Sequence, residues 1–245
     1  MASQTLLGKA ALITGGARRI GRAIALELAS AGADITITYR NSRTEAEETL
    51  QLINQLGRQA IALECDVRSE PSVRSAVANC VNFHSRLDVL VNNAGIYESV
   101  QLEAMSLEQW DTVFETNARG PFLVSREALP HLRASQGRII NMGSLGGFRA
   151  WPGHAHYCAS KAALHMLTEA MAKSFAPEIA VNCVAPGWIE FEEDIGQPDT
   201  ARFAGKTPMK RNGTAKDVAE AVAFFASTTN FVTGQVLRID GGLGL

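Results

Sequence analysis

The sequence has no Cys-x-x-Cys pair, no block of basic residues and no apolar run near the roughly 20 residues that a membrane-spanning helix requires. Each absence removes a class of function. The four cysteines, Cys65, Cys80, Cys158 and Cys183, stand far apart, and none lies beside a histidine pair at zinc-ligand spacing. No metal site is expected, and the thiols read as buried and free in a reducing compartment. A net charge of −2 without a concentrated basic face argues against nucleic acid as a partner. Residues Met1 to Lys9 lack the basic stretch and long apolar core of a secretory signal, so a soluble, cytoplasmic protein is the expectation.

What remains is an ordinary globular composition, 46% hydrophobic and 20% charged over 245 residues, enough for a single domain with a sizeable core. Short aliphatic runs recur at Ala10–Thr14, Asp34–Tyr39, Ala60–Cys65, Val89–Asn92, Arg138–Met142, Ala180–Ala185 and Gln235–Asp240. Between them, Ile20–Ala31, Thr44–Leu56, Ser69–Phe83, Ser106–His131, Tyr157–Phe175 and Ala215–Ala226 repeat apolar residues at three- and four-residue steps. Strands alternating with helices predict an α/β fold, a doubly wound parallel sheet of seven strands in one Rossmann-like domain covering residues 1–245. In such a sheet the ligand crevice lies at the carboxyl ends of the strands, where the winding reverses. Pro186–Lys210, broken by Gly187, Gly196, Pro198, Gly205 and Pro208, reads as a functional loop over the substrate.

Directly after the first strand comes Thr14-Gly15-Gly16-Ala17-Arg18-Arg19-Ile20-Gly21, leading into a helix. Glycine lets the backbone turn tightly and approach a pyrophosphate, and the helix start offers free N–H groups and the positive end of its dipole. The ribose 2′ position of a dinucleotide lies at the end of strand two. There the sequence reads Tyr39-Arg40-Asn41-Ser42, with no acid to bind a free 2′-hydroxyl and with Arg40 offering a fork for a 2′-phosphate. NADP(H) is therefore expected, with Arg18 or Arg19 converging on the same phosphate.

Tyr157 and Lys161 lie four apart in a helical segment and so face the same way. Ser144 follows strand five, thirteen residues before Tyr157, and Asn117 precedes both in Glu115-Thr116-Asn117-Ala118. A phenol beside an ammonium makes a tunable proton donor. The glycine loop, Asp66-Val67 after strand three, Asn92-Asn93-Ala94-Gly95 after strand four and the ordered Asn, Ser, Tyr and Lys together resemble the short-chain dehydrogenases/reductases, from Gly8-Lys9 to Asp240-Gly241-Gly242. Arg19 departs from that pattern, standing where the family has its middle glycine.

The resemblance implies a reductase that converts a small ketone or aldehyde to an alcohol, with Tyr157 as proton donor. Ser144 would share the developing charge on the oxygen, Lys161 would lower the Tyr157 pKa and bind the nicotinamide ribose, and Asn117 would hold a water linking Lys161 to solvent. It places the cofactor against Gly15, Arg18, Arg19, Ile20, Gly21, Arg40, Asn41, Ser42, Asp66, Val67, Asn93, Ala94, Gly95, Tyr157, Lys161, Pro186, Gly187 and the backbone of Ile189. It also implies a homotetramer or homodimer, through helices carrying Trp110, Phe114, Phe122, Leu164, Met166, Leu167 and Met171. The chain is similar both to 3-oxoacyl-carrier-protein reductases and to pteridine-type reductases. An acidic cluster, Glu190, Glu192, Glu193 and Asp194, and a Ser174–Glu178 segment without arginine favour a free small carbonyl over an acyl chain delivered on an acidic carrier. The histidines, His84, His131, His154, His156 and His165, read as surface or pocket-rim groups, with His154 a candidate for substrate contact. A non-catalytic dinucleotide sensor and a scaffolding protein are the alternatives from other classes; the complete Asn, Ser, Tyr and Lys set argues against the sensor, and a scaffold should bind neither NADPH nor NADH.

Overall fold

Consecutive rather than alternating aliphatic residues fill the strands, which calls for cover on both faces of the sheet. The computed structural model describes residues 5–191, 193 and 198–245. Its strands are β1 (Ala10–Ile13), β2 (Asp34–Tyr39), β3 (Ala60–Glu64), β4 (Val89–Asn92), β5 (Arg138–Met142), β6 (Ala180–Pro186) and β7 (Val236–Ile239). All pair in parallel, in the order β3-β2-β1-β4-β5-β6-β7. The helices are α1 (Arg19–Ser30), α2 (Arg43–Gln55), α3 (Glu70–His84), α4 (Leu107–Phe114), α5 (Gly120–Ser135), α6 (Ala155–Phe175), α7 (Pro198–Lys206) and α8 (Ala215–Ser227). None of the described helices is long and apolar enough to cross a membrane.

Side chains one residue apart go to opposite faces. Ile13, Ile35, Ile37, Val91 and Ile140 pack with Ile24 and Leu28 of α1 and Val222 and Phe225 of α8. Leu12, Leu90, Ile139 and Val181 pack with Val77 of α3, Leu132 of α5 and Met171 of α6. The winding reverses between β1 and β4, and the crevice opens at their carboxyl ends.

Two elements differ from the sequence reading. The segment expected as one helix over Ser106–His131 is interrupted by a π-helical turn at Glu115–Arg119 and then runs on to Ser135. Part of the loop expected over Pro186–Lys210 is the helix α7. Pro198, read as a breaker, stands at the first helical position, where its missing N–H costs nothing.

Candidate active site

The loop between β1 and α1 is held from two sides. Gly16 N–H donates to Thr38 O at 3.0 Å, tying it to the end of β2. The Asn93 side-chain amide donates to Thr14 O and Gly15 O, both at 2.9 Å, tying it to the segment after β4. Gly21 has no room for a side chain, since a Cβ there would sit 2.2 Å from Gly15 O. No side chain caps the start of α1, whereas Ser69, Ser106 and Thr214 cap α3, α4 and α8. Its first N–H groups are thus left for a ligand, and the cradle suits a pyrophosphate.

Arg40, Asn41 and Ser42 follow β2 on the rim of this cradle. Arg40 and Arg18 are exposed, and neither forms an ion pair among the described residues. Asp66 is gripped by Arg68 through both carboxylate oxygens at 2.6–3.1 Å. Hydrogen bonds from Arg68, with help from the nearby charge of Arg40, hold its carboxyl below the usual range. Arg19 adopts a left-handed backbone conformation, φ 51°, as the glycine it replaces would. Its guanidinium binds Glu193 Oε1 at 2.7–2.8 Å and lies over the Phe191 ring at 4.9 Å. Arg19 therefore faces the segment after β6, which it ties to the phosphate loop. Releasing it in Glu193→Gln is expected to lower KM for the nicotinamide cofactor by about 2- to 5-fold, since an exposed ion pair holds the guanidinium only weakly. A KM that stays level or rises would show that the pair does not compete with the cofactor.

Asn117, Ser144, Tyr157 and Lys161 come together at the ends of β4 and β5. A Cβ built on Gly95 would lie 3.2 Å from Asn117 Oδ1 and 3.6 Å from Lys161 Nζ, so both side chains reach the same stretch of backbone. Lys161 Nζ donates to Met142 O at 2.8 Å, and burial pushes its pKa down to about 8. Burial pushes the Tyr157 phenol up to about 12, opposed by its hydrogen bond with Ser144. The expectation that Lys161 lowers this pKa does not hold in this geometry. Lys161 Nζ stands 5.8 Å from the Tyr157 ring centre, turned to a carbonyl, and desolvation outweighs it. Asn117 sits in the π-helical turn, where its side chain accepts from Ile96 N–H and donates to Ile96 O, both at 2.9 Å, and meets Ser160 Oγ at 3.2 Å.

Beyond β6, Gly187 N–H donates to Ile239 O, and the backbone of Trp188 and Glu190 bonds to Gly213, leaving the Ile189 N–H without a partner among the described residues. The acids of the cluster are partnered where they are described. Glu190 accepts from Asn212 at 2.9 Å and Glu193 from Arg19, whereas Glu192 and Asp194 lie outside the described residues.

Three supporting residues escaped the sequence reading or were undervalued by it. His165 is packed behind Ser144, whose N–H points at its Nε2 at 3.4 Å, and burial keeps it neutral with a pKa of about 4. Its signal was its spacing, four residues beyond Lys161 on the same helical face. Tyr97 meets Tyr157 edge-on at 4.9 Å. His154, the histidine expected near substrate, bonds to Tyr97 at 3.0 Å.

A sequence model described as Enoyl-(Acyl carrier protein) reductase matches residues 15–244. A 3-oxoacyl-[acyl-carrier-protein] reductase FabG of Staphylococcus epidermidis is 36% identical, with 97% of this chain and 99% of that protein aligned. Hydroxynaphthalene reductase arp2 of Aspergillus fumigatus is also 36% identical, over 94% of this chain and 90% of its own. Among solved structures, a short-chain dehydrogenase/reductase from Serratia marcescens superposes with a TM-score of 0.94 at 35% identity, covering 98% of this chain and 100% of that one. Similarity that runs through the sheet, the glycine cradle and the Tyr157 helix alike makes this chain an oxidoreductase of the short-chain dehydrogenase/reductase family.

Proposed function

We propose that the protein is an NADP(H)-dependent reductase of small free carbonyl compounds, with Tyr157 as the proton donor. The observation that carries it is the convergence of Tyr157, with Lys161 Nζ 5.8 Å from its ring centre, and Asn117 at the mouth of a cradle fit for a dinucleotide. When bound, the nicotinamide supplies the hydride. Tyr157, protonated at neutral pH, gives its proton to the carbonyl oxygen as charge develops there, and Ser144 donates to the same oxygen. Lys161 Nζ is positioned for a ribose hydroxyl, with Asn117 fixing the backbone beside it. Preference for the 2′-phosphate rests on Arg40, after β2, and Arg18, at the start of α1, both exposed and without an ion pair among the described residues.

Delivery of substrate on a carrier protein is the second reading, favoured by the FabG relative. The like-charge argument against it is weakened, because Glu190 and Glu193 are bound to Asn212 and Arg19. The relative named for reducing hydroxynaphthalenes supports a free substrate. The test is oxidation of NADPH, followed by absorbance, with small ketones and with one 3-oxoacyl chain on carrier protein and on a short thiol. No turnover of any carbonyl sinks the reading, and a large preference for the carrier form replaces it with the second.

A homotetramer or homodimer is also proposed. Leu164 and Met171 are covered by their own chain, at 1% and 5% exposure, and so drop out of the expected interface, but Met166 at 63% and Phe122 at 41% remain outside. Light scattering at micromolar concentration should give a multiple of the chain mass; a monomer refutes it.

A further inference from the structure

The turn that carries Ser144 is held at three consecutive residues. Lys161 Nζ donates to Met142 O at 2.8 Å, Gly143 N–H donates to Val184 O at 2.8 Å, and Ser144 N–H donates to His165 Nε2 at 3.4 Å. The first and third of these partners are side chains of α6, one helical turn apart. Within the turn, Ser144 Oγ accepts from Gly146 N–H at 3.1 Å, which occupies a lone pair and leaves the hydroxyl proton to point elsewhere.

A bond of 3.4 Å holds weakly by itself, and the backbone on both sides of Ser144 supplies the shape that the bond lacks. A Cβ at Gly143 would collide with His165 Nε2, and one at Gly147 would collide with Cε1 and lie 2.7 Å from Nδ1. A side chain at either position would push the imidazole aside. Phe148 closes over the ring with 4.5 Å between centres, and Arg238 of β7 lies over Phe148 in turn. Because a backbone N–H can only donate, Nε2 is the unprotonated nitrogen and Nδ1 carries the proton. Burial keeps the ring neutral, with a pKa of about 4, so the acceptor is present at neutral pH.

We propose that His165 is a positioning residue for Ser144: its Nε2 fixes the Ser144 backbone, and through it the direction in which the hydroxyl meets the carbonyl oxygen of the substrate. The inference rests on the carbonyl-reductase reading and adds to it a residue that acts only through Ser144.

The experiment separates the acceptor from the shape. Glutamine sets its amide oxygen where Nε2 stands, whereas methionine has nearly the same length and only a weak acceptor. With NADPH and the small ketones cyclohexanone and ethyl acetoacetate, His165→Met should lower kcat by about 10-fold and leave KM within about twofold, because Ser144 meets charge that develops only in the transition state. His165→Gln should recover kcat to within about threefold of the unaltered protein. In a Ser144→Ala background, His165→Met should change kcat by less than about twofold, since the hydroxyl it positions is gone. A merely structural role gives the same loss with Met as with Gln, and the same loss in both backgrounds. Either of those results, or near-normal kcat in His165→Met, overturns the inference. The tautomer is read without substrate, from proton–nitrogen correlation spectra of protein carrying nitrogen-labelled histidine, with the His165 signal assigned by its loss in His165→Gln. Nε2 should be unprotonated at neutral pH, and a proton there overturns the inference by itself. Failure to reduce any carbonyl compound overturns the reductase reading instead, which the tautomer does not touch.

Discussion

Replacing Tyr157 with phenylalanine should cut turnover by about 100-fold or more while leaving binding of the nicotinamide nucleotide, followed by fluorescence, within about twofold. The substitution removes one oxygen and keeps the ring that Tyr97 and Trp151 border, so the pocket keeps its shape. What disappears is the proton that the carbonyl oxygen needs as it becomes an alkoxide. Ser144 remains as a donor, but its own proton is far harder to surrender, and so it can polarise without completing the reaction. With the phenol pushed up to about 12 and Lys161 down to about 8, the pair is protonated at neutral pH, the state required for reduction. The sign follows from Lys161. Its charge is present below about pH 8 and lost above it, so reduction should slow as pH rises through that value, because a neutral amine holds the ribose hydroxyl less firmly than an ammonium does. Near-normal turnover in Tyr157→Phe would remove the residue from its proposed role.

Arg40→Asp should lower the ratio of kcat/KM with NADPH to that with NADH by about 10- to 100-fold, equivalent to about 1.4–2.8 kcal/mol. Two effects add: a cation that can fork onto a phosphate is lost, and a carboxylate that repels it is gained. Two other cations near Arg40 are already engaged. Arg68 is committed to Asp66, and Arg43 to Glu47 at 3.0 Å. Arg18 remains, which is why the expected change stops short of complete reversal. An unaltered ratio would make Arg40 a solvated loop residue and shift the question of cofactor choice to Arg18.

The sheet was legible because parallel strands covered on both faces require runs such as Ala10–Ile13 and Val89–Asn92, and few other arrangements tolerate them. The Tyr157–Lys161 step and the glycine loop were legible because local spacing carries their geometry. The bond between Arg19 and Glu193 joins residues 174 positions apart, and no periodicity encodes such a contact. Tyr97 and His154 are separated by 57 positions and meet only because β4 and β5 are neighbours. Helix α7 was missed because Pro198 and Gly205 were read as breaks, although a proline at the first position is compatible with a helix. The π-helical turn was hidden for another reason. Its residues have ordinary helical character, and only the pull of the Ile96 backbone on Asn117 distinguishes them.

That turn makes α4 and α5 an example of activity placed at odds with robustness. A π-helical turn is an α-helix with one residue too many, and the extra residue bulges because the turn must present Asn117 inward. Deleting one residue would let the two helices run on as a single regular rod, a change that by itself favours a sturdier protein. It would also turn everything on one side of the deletion by about 100° relative to the other and carry Asn117 away from Ile96 and Ser160. Selection for heat tolerance alone would thus tend to erase this irregularity, whereas, with Asn117 in its proposed role, selection for catalysis would preserve it.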